Sequence, residues 1–196
     1  MNLFPIFLKL LHRRCIVIGA GKIAQEKIEG LLHTGAEIRV IAPEATPRIR
    51  ALAQEKRIHW EPRAFKSSDL KGAFLVVAAT SSRALHEKIY LAARRQRVLC
   101  NVVDDPPHCD FYYGSVVRRG ALQIAISTAG KSPALAQRIR KILEEQFGPE
   151  YEEWLNALGE ARNKLFSRKM DPEERKKLLH ILASGEMFEE FLQRKK

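Results

Sequence analysis

The fold of this chain is decided by the stretch CIVIGAGKIA, residues 15–24, in which a continuous apolar run meets two glycines and the start of a helical pattern. The stretch contains the pattern G-x-G-x-x-G/A. Gly19 permits a tight turn, Gly21 lets a pyrophosphate approach the backbone, and Ala24 lets the helix pack closely on the strand. The free N–H groups at the start of that helix bind phosphate. The stretch therefore predicts a strand, a tight bend and a helix that together hold a dinucleotide.

Outward from this stretch, strands alternate with helices as far as residue 103. Short apolar runs predict strands at 37–41, 58–61, 74–79 and 98–103. Helical spacing predicts helices over 24–32, 47–55 and 82–95. This alternation is typical of right-handed βαβ units, so we expect an α/β fold of the Rossmann type with a parallel sheet covered on both faces.

The pattern changes after Asp104, where Pro106 and Pro107 exclude a further ladder strand. Runs at 111–117 and 122–127 flank a glycine turn and predict an antiparallel β-hairpin. Ser132-Pro133 is a helix-start signal for 134–147, and Gly148-Pro149 ends that helix. Helical patterns follow at 151–166 and 175–182, with one or two more turns around 188–192. We therefore expect a Rossmann domain over 1–113, a β-hairpin and helix over 114–148, and a small helical domain over 149–196.

The length and the charge distribution of the chain limit the classes of ligand that it could bind. The chain has 196 residues, 45% of them hydrophobic, and a formal net charge of +11. Residues 150–196 carry ten charges of each sign, so the whole positive excess lies in the first 149 residues. A basic body attracts nucleic acid, an acidic membrane surface or a small polyanion. No nucleic-acid recognition module and no bilayer-length apolar run is present in the sequence, which argues against a nucleic-acid partner and against membrane insertion. The charge alone leaves a small polyanionic ligand and an ordinary solvated basic surface as alternatives.

The cysteines and histidines do not indicate a metal centre. Three cysteines form no CxxC pair, and the six histidines are dispersed along the chain. We therefore expect neither a disulfide framework nor a structural metal site. The basic residues near the start follow the apolar run instead of preceding it, which argues against a secretory signal and predicts a cytoplasmic protein.

The cofactor pattern is imperfect at the second strand. A dinucleotide fold usually places an acid at that point to bind the adenine ribose. Here the strand ends at Pro43 and the nearest acid is Glu44. This arrangement favours NAD over NADP, but Arg39 and Arg48 leave the choice open at this point.

Two further loops carry groups suited to a substrate. Asp104 and Asp105 follow the last parallel strand, at the sheet edge where ligands bind in open α/β folds. Since successive extended residues point to opposite sides, we expect one carboxylate to face the crevice and the other to serve the turn. The second loop, STAGKSP at 127–133, offers hydroxyl and backbone donors to an anionic group. Turn formation and helix capping are the alternative roles for both loops.

Five segments together are similar to one known family. They are LFPIFL at 3–8, VIGAGKIA at 17–24, AAT at 78–80, CNVVD at 100–104 and STAGKSP at 127–133. In this order and spacing they resemble precorrin-2 dehydrogenase, the NAD-dependent module of siroheme synthesis, which occurs alone or fused to a methyltransferase. The resemblance covers residues 1 to about 147.

The resemblance implies a Rossmann domain, a dimerisation region and a helical domain, and with them a homodimer. It implies the oxidation of precorrin-2 by NAD to sirohydrochlorin and NADH, and in some relatives the insertion of ferrous iron as a second substrate. Precorrin-2 is an octacarboxylate, which agrees with the basic body. Asp104 follows Asn-Val-Val at the position of the family's key carboxylate and is the candidate general base, with Asp105 as the backup.

The candidate binding residues follow from these motifs. Those for NAD are Gly19, Gly21, Lys22, Ile23, Pro43, Glu44 and Thr80. Those for the substrate are Asn101, Ser127, Thr128, Gly130 and Ser132. The sequence departs from the family pattern at Thr128, where serine is frequent, and at Asp105. A non-catalytic NAD-sensing module, in which Asp104 is only a turn residue, is the second hypothesis.

Overall fold

The computed structural model describes residues 3–194, which divide into two compact units, 3–112 and 113–194. The first unit is an α/β domain, as expected. Its strands are β1 Arg14–Ile18, β2 Glu37–Ile41, β3 His59–Glu61, β4 Leu75–Ala78 and β5 Leu99–Val102. Its helices are α1 Lys22–Leu32, α2 Pro47–Gln54 and α3 Arg83–Gln96, with short 3₁₀ helices at Ser67–Leu70 and Pro106–His108.

The five strands form one parallel sheet in the order β3-β2-β1-β4-β5. The chain therefore runs outward from β1 to β3 on one side, and then returns to β4 and β5 on the other. The reversal between β1 and β4 is the point at which ligands bind in open α/β sheets. The predicted Rossmann-type fold is confirmed.

Two apolar layers cover the sheet. On one face, α1 and α2 pack Ile28, Leu31 and Leu52 against alternate strand residues such as Val17 and Val40. On the other face, α3 packs against the intervening strand residues; this layer includes Ile16, Ile18, Val76, Ile89, Ala92 and Ala93. β4 is buried along its whole length, as a central strand covered on both faces must be.

An ion-pair network holds the outer strand β3. The Arg63 guanidinium donates to Asp69 Oδ1 over 2.7 Å and to Glu61 through its Nε over 2.9 Å, and Arg39 also pairs with Glu61. Burial alone would raise the pKa of Asp69 and of Glu61, but the neighbouring guanidinium groups outweigh burial and hold both pKa values below their usual range. The network therefore fixes β3 to the 3₁₀ helix at Ser67–Leu70.

The second unit begins with the predicted hairpin and continues as helices. β6 Ser115–Arg119 pairs antiparallel with β7 Leu122–Ile126. The helices are α4 Pro133–Gln146, α5 Glu150–Phe166, α6 Pro172–Leu182 and α7 Gly185–Gln193. Arg119 connects β6 to the end of α4, because its guanidinium donates to the carbonyls of Phe147 and Glu144 at 2.7 and 2.9 Å. Aromatic rings of α5 and α7 pack together around Phe188.

Three details differ from the sequence predictions. α1 begins at Lys22, two residues before the first helical-pattern residue. The first hairpin strand begins at Ser115 and not at residue 111, because the Asp110 carboxylate accepts from the Cys100 N–H and ties this segment back to β5. The last helix is longer than one or two turns, since Ser184 caps a nine-residue helix. The division of the carboxyl-terminal part at residue 148 stays a prediction.

None of the helices in residues 3–194 combines the length and the apolar character needed to cross a bilayer.

Candidate cofactor and substrate site

The residues predicted to bind NAD lie at one edge of the sheet. Parallel register places Ile18 opposite both Ile41 and Ala78, and Ala78 opposite Val102. The loops that follow β1, β2, β4 and β5 therefore leave the sheet at the same level. Backbone hydrogen bonds extend this alignment by one residue, from the Gly19 N–H to the Ile41 carbonyl at 3.0 Å and from the Val103 N–H to the Ala78 carbonyl at 3.0 Å.

The glycine bend has the conformation that the motif requires. Gly19 has φ +103°, and a Cβ there would lie 2.2 Å from the Ala79 carbonyl oxygen. Gly21 has ordinary φ, with no atom within 4 Å of the position that a Cβ would occupy. The absence of a side chain at Gly19 thus allows the loops after β1 and β4 to come close together, whereas Gly21 leaves open space next to the start of α1.

The amino end of α1 suits an anionic ligand. Gly21 is the N-cap residue, and no side chain caps the helix. The first turn contains no acidic residue. Because the leading N–H groups of a helix lack intrahelical partners, this end retains donors and a positive dipole for a phosphate. Lys22 and Ile23 lie exposed in this first turn.

Thr80 provides an independent sign of a ligand. Its hydroxyl oxygen is buried and has no hydrogen-bond partner among the described residues. The Thr80 carbonyl is held by the ring nitrogen Nε2 of buried His86 at 2.8 Å, which orients the loop after β4. A buried hydroxyl without a partner is costly unless a ligand satisfies it. Together with the space at Gly21 and the uncapped helix, this hydroxyl shows that the residues present fit a dinucleotide.

The loop after β2 is fixed to the glycine bend. The Thr46 N–H donates to the Ala20 carbonyl at 3.0 Å, and the Thr46 hydroxyl donates to Gln25 at 3.1 Å. Pro43 and Glu44 precede this anchor and are exposed. Arg39 and Arg48 are the residues that leave the choice between NAD and NADP open in the sequence, and both have acidic partners. Arg39 pairs with Glu61, and Arg48 lies 3.7 Å from Glu29. Arg39 is thus held by Glu61, whereas the Arg48–Glu29 pair is long and exposed, so Arg48 stays available to a ribose phosphate.

Asp104 stands out in the loop after β5. Its φ is +60°, the left-handed region, and its side chain is exposed. Within residues 3–194 its carboxylate has neither a hydrogen bond nor an ion pair. Left-handed backbone is uncommon for residues other than glycine and requires that the surrounding structure hold it. The chain thus presents a free carboxylate at the predicted position.

The neighbouring Asp105 has a different role. Its Oδ2 lies 2.7 Å from Nδ1 of His108, and both side chains are about one-third exposed. Asp105 thus binds a side chain of its own turn without capping the 3₁₀ helix, and Asp104 is left-handed and not extended as the alternation argument assumed. That one of the two carboxylates faces the crevice stays a prediction.

The Asn101 side chain anchors this turn to the residues that follow it. Its amide is buried and donates to the Phe111 carbonyl at 2.8 Å and to the Cys109 sulfur at 3.4 Å. The Cys109 thiol donates in turn to the Val102 carbonyl at 3.1 Å. Burial raises the pKa of the Cys109 thiol and raises that of Cys100 to about 12. The Asn101 amide is thus engaged within the loop, and its binding of substrate stays a prediction.

The hydroxyl loop belongs to the second unit. Ser127 Oγ accepts from the Ala129 N–H at 3.1 Å, Thr128 Oγ1 from the Ser132 N–H at 3.2 Å, and Ser132 Oγ from the Leu135 N–H at 3.2 Å. Ala129 and Gly130 both have positive φ, which gives the loop its sharp reversal. Each hydroxyl serves its own loop as an acceptor, but a hydroxyl that accepts still carries one O–H donor. Capping and anion binding are therefore compatible here.

Sequence reasoning missed His108 and the ring that packs on it. Tyr90 of α3 lies with its ring centroid 4.5 Å from that of His108. One signal was available: Pro106 and Pro107 cannot donate N–H groups, so the side chain of an aspartate before them has fewer backbone donors to accept from. Nothing in the sequence pairs Tyr90 with His108.

Two family models match the chain. A model of NAD(P)-binding domains matches residues 6–115, and one described as sirohaem biosynthesis protein central matches residues 119–146. A solved structure, SirC, precorrin-2 dehydrogenase, is similar over 98% of each chain, with 27% identity and a TM-score of 0.82.

Curated relatives are longer proteins. Siroheme synthase 1 of Serratia proteamaculans is 42% identical over 144 residues, which are 74% of this chain and 30% of the relative. Siroheme synthase of Neisseria meningitidis serogroup C is 36% identical over 185 residues, 94% of this chain and 38% of the relative. The chain spans about a third of the length of these relatives. The match over more than half of the chain shows that it belongs to the putative NAD(P)-binding family.

Proposed function

We propose that this chain oxidises precorrin-2 to sirohydrochlorin with NAD as the hydride acceptor. The observation that carries the proposal is the free carboxylate of Asp104, held in left-handed backbone at the same sheet edge as the glycine bend. The named activity of the similar solved structure supports it. The positive excess of the first 149 residues also suits a substrate with eight carboxylates.

The cofactor residues divide by position along the edge. Gly19 and Gly21 shape the bend, and the N–H groups of Lys22 and Ile23, at the positive end of the α1 dipole, would bind the pyrophosphate. Glu44 and Pro43 lie after β2, where the adenine ribose belongs. Thr80, with its unpartnered hydroxyl, lies after β4 at the switch point. Bound NAD would supply the hydride acceptor for the oxidation.

Asp104 is the proposed general base. Oxidation of the macrocycle releases a proton as well as a hydride, and the proton needs an acceptor. The carboxylate has no partner to compete for that role among the described residues. The hydroxyl loop, with Ser127, Thr128, Gly130 and Ser132, is proposed to bind substrate carboxylates through its remaining O–H and N–H donors.

Three further proposals concern the oligomeric state of the protein, its location and a second substrate. Leu135 and Ile142 of α4 are about half exposed, at 48% and 52%, which favours a homodimer formed through the second unit. The three cysteines are free thiols, which suits the reducing cytoplasm. Insertion of ferrous iron as a second substrate rests on the family resemblance alone.

Asp104→Asn tests the proposed base. Asparagine tolerates left-handed backbone, so the turn should keep its shape while the base is lost. We expect kcat to fall by about 10³-fold, measured as NADH formation from precorrin-2 without oxygen, with the Kd for NAD unchanged. Asp171→Asn is the matched control, because asparagine caps a helix as well as aspartate does and α6 should be unaffected.

The assay separates this proposal from its alternative. Native turnover in the Asp104→Asn variant would show that Asp104 is not the base. Binding of NAD by the wild-type chain without any oxidation of precorrin-2 would favour a cofactor-sensing module instead.

A further inference from the structure

The residue that follows β2 is an alanine. In dinucleotide folds that select NAD, an acid at the end of the second strand accepts hydrogen bonds from the adenine ribose, and its charge repels the 2′-phosphate of NADP. Here that position is taken by buried Ala42. Its N–H donates to the Glu61 carbonyl over 3.3 Å, and its carbonyl accepts from the Trp60 indole at 3.1 Å. The end of β2 therefore carries no carboxylate that would exclude a phosphate group.

The nearest acid, Glu44, lies two residues further along, in the bend that leads to α2. Its side chain is exposed, and within residues 3–194 it has neither a hydrogen bond nor an ion pair. Water and salt screen the charge of an exposed carboxylate, and nothing fixes this one against a ligand. Glu44 can therefore bind the ribose hydroxyl groups of NAD without excluding NADP.

Arg48 brings a positive charge to the same loop. It lies in the first turn of α2, two residues after Thr46, and the Thr46 N–H is fixed to the Ala20 carbonyl of the glycine bend at 3.0 Å. The Arg48 Nε is 3.7 Å from a carboxylate oxygen of Glu29, and the two side chains are 45% and 43% exposed. Exposed ion pairs of this length contribute little to stability, so the guanidinium can leave Glu29 for a stronger partner.

Two neighbouring arginines are held more firmly. Arg39 pairs with Glu61 in the network that fixes β3. Arg50 donates through its Nε to the Ala45 carbonyl at 3.0 Å and so fixes the loop before α2. Of these three arginines, Arg48 is therefore the one best able to turn toward a ligand.

We propose that the chain accepts NADP as well as NAD, and that Arg48 binds the 2′-phosphate of NADP. The inference rests on the proposed function and adds a second cofactor to the same site. A guanidinium pairs with a phosphate through two parallel charge-assisted hydrogen bonds, which are stronger than hydrogen bonds between neutral groups. The reaction balances as it does with NAD: precorrin-2 loses a hydride, which the nicotinamide ring accepts to give NADPH, and a proton, which ends in solvent.

Titration with each dinucleotide tests the inference on the wild type and on Arg48→Gln. We expect the wild-type Kd for NADP to lie within about 10-fold of the Kd for NAD. In Arg48→Gln the Kd for NADP should rise by about 10- to 100-fold, because a charge-assisted pair is lost, while the Kd for NAD stays within about 2-fold. Arg48→Lys keeps the charge without the paired hydrogen bonds, so its Kd for NADP should rise by a smaller factor. The ratio of kcat/KM for NADP to that for NAD, measured as precorrin-2 oxidation without oxygen, should fall in the same order.

Arg57→Gln is the matched control. Arg57 is also an exposed arginine, but it follows the opposite end of α2. The same change in net charge there should leave both Kd values unchanged.

The outcomes separate the inference from the proposed function. A larger wild-type preference for NAD, or an equal loss of affinity for both dinucleotides in Arg48→Gln, overturns the inference, while oxidation of precorrin-2 with NAD keeps the proposed function. Binding of both dinucleotides without oxidation of precorrin-2 overturns the proposed function, and the titrations then still decide the role of Arg48. A wild-type chain that binds neither dinucleotide overturns both.

Discussion

The Gly19–Gly21 bend and the turn after β5 lie at the same edge of one sheet, but different forces hold their left-handed residues. At the bend, backbone shape decides: Gly19 has φ +103° and touches the Ala79 carbonyl, where only glycine fits. At the turn, side chains decide: Asp104 has φ +60°, and the turn around it is anchored by Asn101, Cys109 and the Asp105–His108 pair. The comparison indicates that the bend is a rigid element, whereas the turn depends on a network that substitutions can loosen.

Gly19→Ala should have the largest effect on stability. The new Cβ would lie 2.2 Å from a carbonyl oxygen in backbone that disfavours any side chain. Strain and steric overlap together should lower the free energy of unfolding by about 3 kcal/mol. Urea denaturation measures this change. Gly30→Ala on α1, with no atom within 4 Å, is the control and should not destabilise. A stable Gly19→Ala protein would mean that the two loops can separate.

Asn101→Ala should loosen the turn. The Phe111 carbonyl would lose its buried donor, so we expect the free energy of unfolding to fall by about 2 kcal/mol. NAD affinity should change little, because the bend is a separate element. Urea denaturation and NAD titration measure the two quantities. The exposed Asn163 on α5 offers the matched Asn163→Ala control, expected within about 0.5 kcal/mol of the wild type. Equal losses in both variants would contradict the anchoring role.

Gly21→Ala should separate binding from folding. Gly21 has φ −80° and open space at the Cβ position, so the free energy of unfolding should stay within about 0.5 kcal/mol. The added methyl group would occupy the space proposed for the pyrophosphate and weaken NAD binding by about 10-fold, as a titration would show. Unchanged affinity would indicate that the phosphates do not lie on this bend.

Asp104→Gly should change the stability only slightly, and with the opposite sign to Gly19→Ala and Asn101→Ala. Glycine adopts φ +60° without strain, so the free energy of unfolding should rise by about 0.5 kcal/mol while oxidation of precorrin-2 is lost. Lys56→Gly, at φ +58° away from the proposed site, should gain similar stability with native activity. A lower stability of Asp104→Gly would show that the aspartate is held there by contacts and not for its chemistry.

The sheet and the glycine bend could be predicted because local patterns determine them. The runs at 15–18 and 37–41 are apolar, bounded by turn residues, and match β1 and β2 to within one residue. The Gly19 turn follows from the absence of a side chain, which is visible in the sequence itself. Glu44 and Thr80 could be placed by their distance from the strand ends.

The turn after β5 could be predicted only in part. Asp104 could be placed because it follows a strand, but its left-handed backbone depends on contacts that form between distant residues. The sequence does not show that the Asn101 amide reaches Phe111, or that Tyr90 packs on His108. These contacts arise from tertiary packing, which no local pattern encodes.

The partly buried thiol of Cys109 makes the conformation of the turn accessible to direct measurement. The Sγ donates to the Val102 and Asp105 carbonyls at 3.1 and 3.3 Å, and burial raises the pKa of this thiol, so little reactive thiolate exists while the turn is closed. An alkylating reagent should therefore modify Cys109 faster when the turn opens and frees the thiol from these carbonyls. The rate of its modification, followed by mass spectrometry, would report the opening equilibrium around Asp104, and a bound ligand that orders the turn would slow it.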